Sequence, residues 1–141
     1  MVEARRTLLV AGSPEGIRRA AGDLDAFAAV NRLPAAAVWP FQVVLDEMLS
    51  NIVHHGYEEQ GGGSPIEVQL ELGEGVLQLT IVDDAAPFDP LGAAAPDTTR
   101  PAEQRPVGGL GIFLVRKLMD DVEYERRDGR NRLVCRKRLP A

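Results

Sequence analysis

Three short stretches carry residue types that could act together chemically. In the first, Glu47, Asn51 and His54 follow at i, i+4 and i+7. At about 100° per residue a helix would stack them on one narrow face. A carboxylate and an amide oxygen so placed can hold a divalent cation and orient a water or hydroxyl, as phosphoryl transfer requires. The same spacing is also that of an ordinary solvated helix flank. His54 and His55 have no companion Cys or further His that would complete a zinc site. In the second stretch, Asp83-Asp84-Ala85-Ala86-Pro87-Phe88-Asp89-Pro90 begins where an alternating apolar run ends. Asp83 keeps the parity of Leu77, Leu79 and Ile81, so it points to the buried side, where an unpaired carboxylate is costly and calls for a donor such as a ligand amine. A simple turn is the alternative, because Asp and Pro both favour turns. In the third, Gly108-Gly109-Leu110-Gly111 opens directly into Ile112, Leu114, Val115 and Leu118. Glycines let a backbone approach an anion, and a helix N-terminus offers free N–H groups to a phosphate. The spacing is neither that of a Walker A loop nor that of a Gly-x-Gly-x-x-Gly dinucleotide turn, and a tight helix start is the plain reading.

These residues need elements to position them. Phe41, Val44, Leu45, Met48, Leu49 and Ile52 recur at steps of three and four, which predicts a helix from about Pro40 to Tyr57 with one buried stripe. Ser13-Pro14-Glu15 reads as an N-cap and first turn of an earlier helix ending near Val30, after a short apolar run from Thr7 to Ala11 that suits an edge strand. Ile66, Val68, Leu70 and Leu72 alternate with polar residues, as do Leu77, Leu79 and Ile81 beyond Gly73-Glu74-Gly75, which predicts a hairpin. A helix over Gly108 to Met119 and a last hairpin, Val122 to Arg126 and Arg132 to Leu139 around Asp128-Gly129, complete the chain. The segment rich in Ala, Pro, Asp and Thr from Ala85 to Pro106 is too long for an idle connection and reads as a lid or binding loop. This order predicts an α/β (α+β) two-layer sandwich, a mixed and mostly antiparallel sheet covered on one face by helices.

Composition bounds the rest. A chain of 141 residues buries about two thirds of the surface it exposes when unfolded, enough for one core without metal or disulfide. Cys135 is the only cysteine, which excludes an intrachain disulfide. A net charge of −5 argues against nucleic acid as a direct partner. Arg126, Arg127, Arg130, Arg132, Arg136, Lys137 and Arg138 alternate faces beside acidic neighbours, so they read as a solvated sheet edge or a surface for an acidic protein. No apolar run reaches the length of a membrane span and no signal-peptide pattern follows Arg5 and Arg6, so a cytoplasmic protein without a membrane partner is expected.

Taken in order, the three stretches resemble the motif boxes of the GHKL ATPases, the family of histidine kinases, gyrase and a class of heat-shock chaperones. The likeness is most specific to the RsbW-like branch of small anti-sigma-factor serine/threonine kinases. Glu47-Met48-Leu49-Ser50-Asn51-Ile52-Val53-His54-His55-Gly56-Tyr57 is similar to their N box, and Pro87-Phe88-Asp89-Pro90 to the extension of their first glycine box. Gly108-Gly109-Leu110-Gly111-Ile112-Phe113-Leu114-Val115, with Met119 to Tyr124 and Asn131 behind it, is similar to their second glycine box and closing hairpin.

The resemblance implies the histidine-kinase-like ATPase (Bergerat) fold in a single domain over residues 1–141, with an ATP lid at about 85–107. It implies ATP and Mg²⁺ as cofactors, with Asn51 as the metal ligand and Asp83 as acceptor for the adenine amine. Glu47 would be the general base or orienter toward a serine hydroxyl on a STAS-domain anti-anti-sigma protein. Gly108, Gly109, Leu110 and Gly111 would meet the phosphates through backbone N–H groups, and Arg105 would reach the terminal phosphate. The implied function is an anti-sigma factor, homodimeric, that phosphorylates its antagonist and sequesters a sigma factor. One position departs from the pattern, since Ala85 stands where the family has glycine; a left-handed backbone there would cost alanine on the order of 1 kcal/mol. A non-catalytic partner switch with weak or no ATP binding is the alternative that this departure leaves open.

Overall fold

The computed structural model describes residues 1–58, 61–87 and 109–140, with the backbone alone for 109–112. The chain runs β1 (Ala4–Val10), α1 (Pro14–Val30), α2 (Ala35–Asn51), a π-helical turn (Ile52–Tyr57), β2 (Ile66–Gly73), β3 (Val76–Asp83), α3 (Gly109–Leu118), β4 (Asp121–Arg127) and β5 (Arg130–Arg138). The strands form one sheet in the order β1-β2-β3-β5-β4. The sequence predicts a mixed, mostly antiparallel sheet, and every pairing among the described residues is antiparallel.

Local chemistry accounts for most of these boundaries. Ser13 is extended, and its hydroxyl accepts from the Gly16 N–H at 3.1 Å, which satisfies one free donor at the start of α1. Both hairpins close on two consecutive left-handed residues, Glu74-Gly75 (φ 54° and 75°) and Asp128-Gly129 (φ 52° and 76°). That pairing gives the turn whose twist matches antiparallel strands, and it fixes the register of β2 on β3 and of β4 on β5.

Two features of the long helix differ from expectation. It starts at Ala35, five residues before Pro40, because the alanines at 35 to 37 are strong helix formers and the helix tolerates the one backbone hydrogen bond that Pro40 forfeits. Past Asn51 the α-helix gives way to the π-helical turn, in which the Glu58 N–H reaches back five residues to the Val53 carbonyl. The wider turn changes which side chains share a face.

The helices pack on the sheet face that carries Ile66, Val68, Leu70, Leu72, Leu77 and Leu79, all buried, and Phe41, Val44, Leu45 and Leu49 of α2 complete the same core. Glu67, Gln69 and Glu71 on the opposite face are half-buried. Tyr57 wedges between two glycines, since a Cβ at either Gly12 or Gly63 would collide with its ring. These glycines follow β1 and precede β2, and the Asp84 N–H, donating to the Tyr57 hydroxyl, ties the same ring to the strand ends where β3 finishes and β5 begins.

Candidate functional site

A cavity of about 160 Å³ opens between the π-helical turn and those strand ends. Met48, Ile52, Ile81 and Leu133 give it apolar walls, and Asn51, Asp83 and Asn131 are among its polar groups. The first two stretches read from the sequence therefore meet in one space although 32 residues separate Asn51 from Asp83.

Asp83 is the last residue of β3 and is 6% exposed, as its parity with Leu79 and Ile81 demands. Its Oδ1 accepts from the Ala85 N–H at 2.9 Å and from Nδ2 of Asn131 at 2.9 Å. Part of the donor requirement is thus met from within the chain. Both donors meet Oδ1, and among the described residues none meets Oδ2, which keeps acceptor capacity. Burial pushes the Asp83 carboxyl above its ordinary range, opposed by the Asn131 amide and the Ala85 N–H; the Asp84 charge adds to the rise, and Arg126 counters it. Asp84 next to it accepts from the Ser64 N–H at 3.0 Å, and the Ser64 side chain first and this N–H second hold its carboxyl low; its own N–H donates to the Tyr57 hydroxyl at 3.3 Å.

Asn51 closes α2 and lines the cavity. Among the described residues its Nδ2 is buried with no hydrogen-bond partner. An orphaned buried amide costs about 1–3 kcal/mol and is what a ligand would relieve. Magnesium binds through one or two protein oxygens plus phosphates and waters; Asn51 could give such an ion only its Oδ1, while the orphaned Nδ2, a donor, calls for an acceptor oxygen. Among the described residues no group of three or more His, Cys, Asp or Glu could hold a metal.

Glu47 lies one helical turn before Asn51, half-buried, and is not part of the cavity wall. His54 does not share the face of Asn51 as the uniform helix predicted, because the π-helical turn intervenes. It pairs with Glu58 at 3.1 Å, and His55 lines the cavity instead. Gly109, Leu110 and Gly111 form the first turn of α3, and nothing beyond their backbone is described. Arg105 and Gly108, most of the lid segment and the Phe88 to Pro90 motif lie outside the described residues.

Ala85 is buried and lines the cavity, and it is not among the residues with positive φ. The strain foreseen for alanine at this position is therefore absent. Its methyl is accommodated across the cavity wall by Gly56, where an added Cβ would lie 2.8 Å from the Ala85 Cβ. Glycine and alanine are complementary here.

Sequence reasoning missed a polar cluster on the closing hairpin. Asn131, 6% exposed, receives the Tyr124 hydroxyl on Oδ1 at 2.5 Å and Nη1 of Arg126 at 3.3 Å. Its Nδ2 donates to Asp83 and is shared with the carbonyls of Ala85 (3.2 Å) and Ala86 (3.1 Å). Arg126 also donates to the Ala85 carbonyl at 2.7 Å. The reading of the basic strand as a solvated edge beside acidic neighbours fits Arg127, which meets Glu125 and Asp128, and Arg136, which meets Asp121 and Glu123. Arg126 is exposed as well, but its guanidinium also reaches inward to Asn131 and the Ala85 carbonyl, a role that this reading did not contain. The signal was present in the turn: Asp128-Gly129 places Arg126 opposite Asn131, and β3 places Asn131 opposite Asp83, so the three lie in one cross-strand row.

Comparison with known proteins bears on the family and the fold. Residues 10–137 match the model of the histidine kinase-like ATPase domain. The serine/threonine-protein kinase BtrW of Bordetella bronchiseptica is 33% identical over 111 residues, 79% of this chain and 78% of that protein. The serine-protein kinase RsbW of Bacillus thuringiensis is 29% identical over 99 residues, 67% of this chain and 61% of that protein. The structure of the RsbU and RsbW domains of a Mycobacterium tuberculosis protein superposes with a TM-score of 0.69 at 15% identity, covering 98% of this chain and 34% of that one. The SiaB–SiaC complex of Pseudomonas aeruginosa gives 0.60 at 16% identity, covering 96% and 89%. At such identities the structural likeness shows the fold, an antiparallel sheet with helices of the histidine-kinase-like ATPase type. The chain belongs to the histidine kinase-like ATPase domain family, in the branch of the serine/threonine-protein kinases RsbW and BtrW.

Proposed function

We propose that this protein is an ATP- and Mg²⁺-dependent protein serine kinase whose substrate is a STAS-domain anti-anti-sigma protein, and that it sequesters a sigma factor when that antagonist is phosphorylated. The observation that carries the reading is the cavity in which an unpartnered Asn51 amide and a buried, half-satisfied Asp83 carboxylate face one space, in a chain of this family. Bound ATP·Mg²⁺ would supply the phosphoryl group and neutralise its charge. Asp83 would accept the base amine, which an apolar wall of Ile52, Ile81 and Leu133 would flank. Asn51 would offer its Oδ1 to the cation and its orphaned Nδ2 to a phosphate oxygen. Glu47, on the preceding turn, would orient the serine hydroxyl and take its proton. Gly108, Gly109, Leu110 and Gly111 would present N–H groups to the phosphates, and Arg105 would meet the terminal one.

The kinase branch and the RsbW relatives support sigma factor and STAS-domain partners. On this reading the protein is cytoplasmic, a single domain over residues 1–141 that acts as a homodimer. Incubation with radiolabelled ATP, Mg²⁺ and STAS-domain proteins from the same genome tests the reading. Transfer of label to a serine of one of them is expected. Bound ATP without transfer to any would replace the kinase by a non-catalytic switch.

A further inference from the structure

The Asn131 amide supplies Asp83 with a donor only in one of its two orientations. Turned over, it would set Oδ1 against the Asp83 carboxylate and the carbonyls of Ala85 and Ala86, three acceptors facing a fourth. What lies at its other end decides the orientation. The Tyr124 hydroxyl, which meets Oδ1 at 2.5 Å, can donate or accept and would tolerate either end. A guanidinium can only donate. Arg126 therefore rejects the Nδ2 end and selects the orientation in which Oδ1 faces it, while the same Nη1 holds the Ala85 carbonyl at 2.7 Å. The cross-strand row Arg126, Asn131, Asp83 gives this selection a fixed geometry that spans β4, β5 and β3.

We propose that Arg126 is a positioning residue for base recognition, acting through Asn131 and the Ala85 carbonyl to set the carboxylate of Asp83 against the base. The inference rests on the nucleotide reading of the cavity. Its own content is that an exposed arginine on an edge strand, with no contact to the base required, controls discrimination at the base amine. Lysine, also a donor without acceptor capacity, should perform the same selection.

The test is competitive titration of ATP and inosine triphosphate, whose base carries an oxygen in place of the amine, on the wild-type chain and on Arg126→Ala and Arg126→Lys, with chemical denaturation of each. Arg126→Ala is expected to lower ATP affinity on the order of tenfold, the scale of one hydrogen bond to a charged group. Its preference for ATP over inosine triphosphate should fall by the same factor, with the denaturation midpoint little changed, and Arg126→Lys should recover most of the preference. An equal loss for both nucleotides, a lysine variant no better than alanine, or an unchanged ATP preference in Arg126→Ala would each overturn the inference. A wild-type chain that binds neither nucleotide would instead overturn the functional reading on which it rests.

Discussion

The contact between Gly56 and Ala85 permits the sharpest prediction. The Cβ added by Gly56→Ala would lie 2.8 Å from the Ala85 Cβ, where non-bonded carbons settle at about 3.5–4.0 Å. One side must retreat by about 1 Å. Ala85 is poorly free to do so, because its N–H is tied to Asp83 and its carbonyl to Arg126 and Asn131. Overpacking of this kind costs roughly 1–3 kcal/mol, and replacing a helical glycine returns about 0.5–1 kcal/mol, so Gly56→Ala should lose up to about 2.5 kcal/mol of stability. The displacement falls on the cavity wall, and affinity for an ATP analogue should drop several-fold. Ala85→Gly removes the opposing methyl; alone it should cost about 0.5–1 kcal/mol through chain entropy and should not tighten ATP binding, since no left-handed strain exists to relieve. Combined with Gly56→Ala it should restore both stability and affinity. Urea denaturation and analogue titration of the wild type, both single variants and the double variant close the cycle, with a coupling of about 1–2 kcal/mol expected for residues in contact. Additive effects within about 0.5 kcal/mol, the level expected for independent sites, would refute the argument.

Other perturbations probe single residues. Asn51→Ala removes an orphaned buried amide, so the nucleotide-free protein should melt no lower than wild type while Mg²⁺-dependent nucleotide binding is lost; calorimetry with and without Mg²⁺ reads both. Glu47→Ala should leave ATP binding intact and lower phosphotransfer by about 10²–10⁴-fold, the range for loss of a general base. Asp83 is raised by burial, so the folded state holds its proton more tightly than the unfolded chain does; the resulting stability is present below about pH 4, the unfolded value, and is lost as pH rises through the raised folded value. Asp83→Asn abolishes that loss. Its stability relative to wild type should climb with pH across this window in denaturation experiments, while ATP affinity falls.

Much of this architecture was legible in local signals. The Ser13 cap, the alternation from Ile66 to Ile81 and the Asp128-Gly129 turn each act within a few residues, and α1 and both hairpins appear where those signals place them. Asp83 was readable as buried because strand parity needs no tertiary information. The π-helical turn was not readable, since apolar spacing through Ile52 fits a uniform helix; the error exchanged His54 for His55 at the cavity. Two further features depend on residues brought together from afar. The accommodation of Ala85 by Gly56 is a contact between a helix turn and a strand end 29 residues later, so a substitution that looks costly in the motif is matched by space elsewhere. The inward hydrogen bonds of Arg126 were missed because charge alternation was weighed without the cross-strand register, although the hairpin turn contains that register.

The central claim is that adenine nucleotide binds between Asn51 and Asp83. Calorimetric titration of the purified protein with a non-hydrolysable ATP analogue, with and without Mg²⁺, tests it most directly. Micromolar binding that requires the metal and is lost in Asn51→Ala is the predicted result. No binding at millimolar analogue, or binding indifferent to both Mg²⁺ and Asn51, would contradict it.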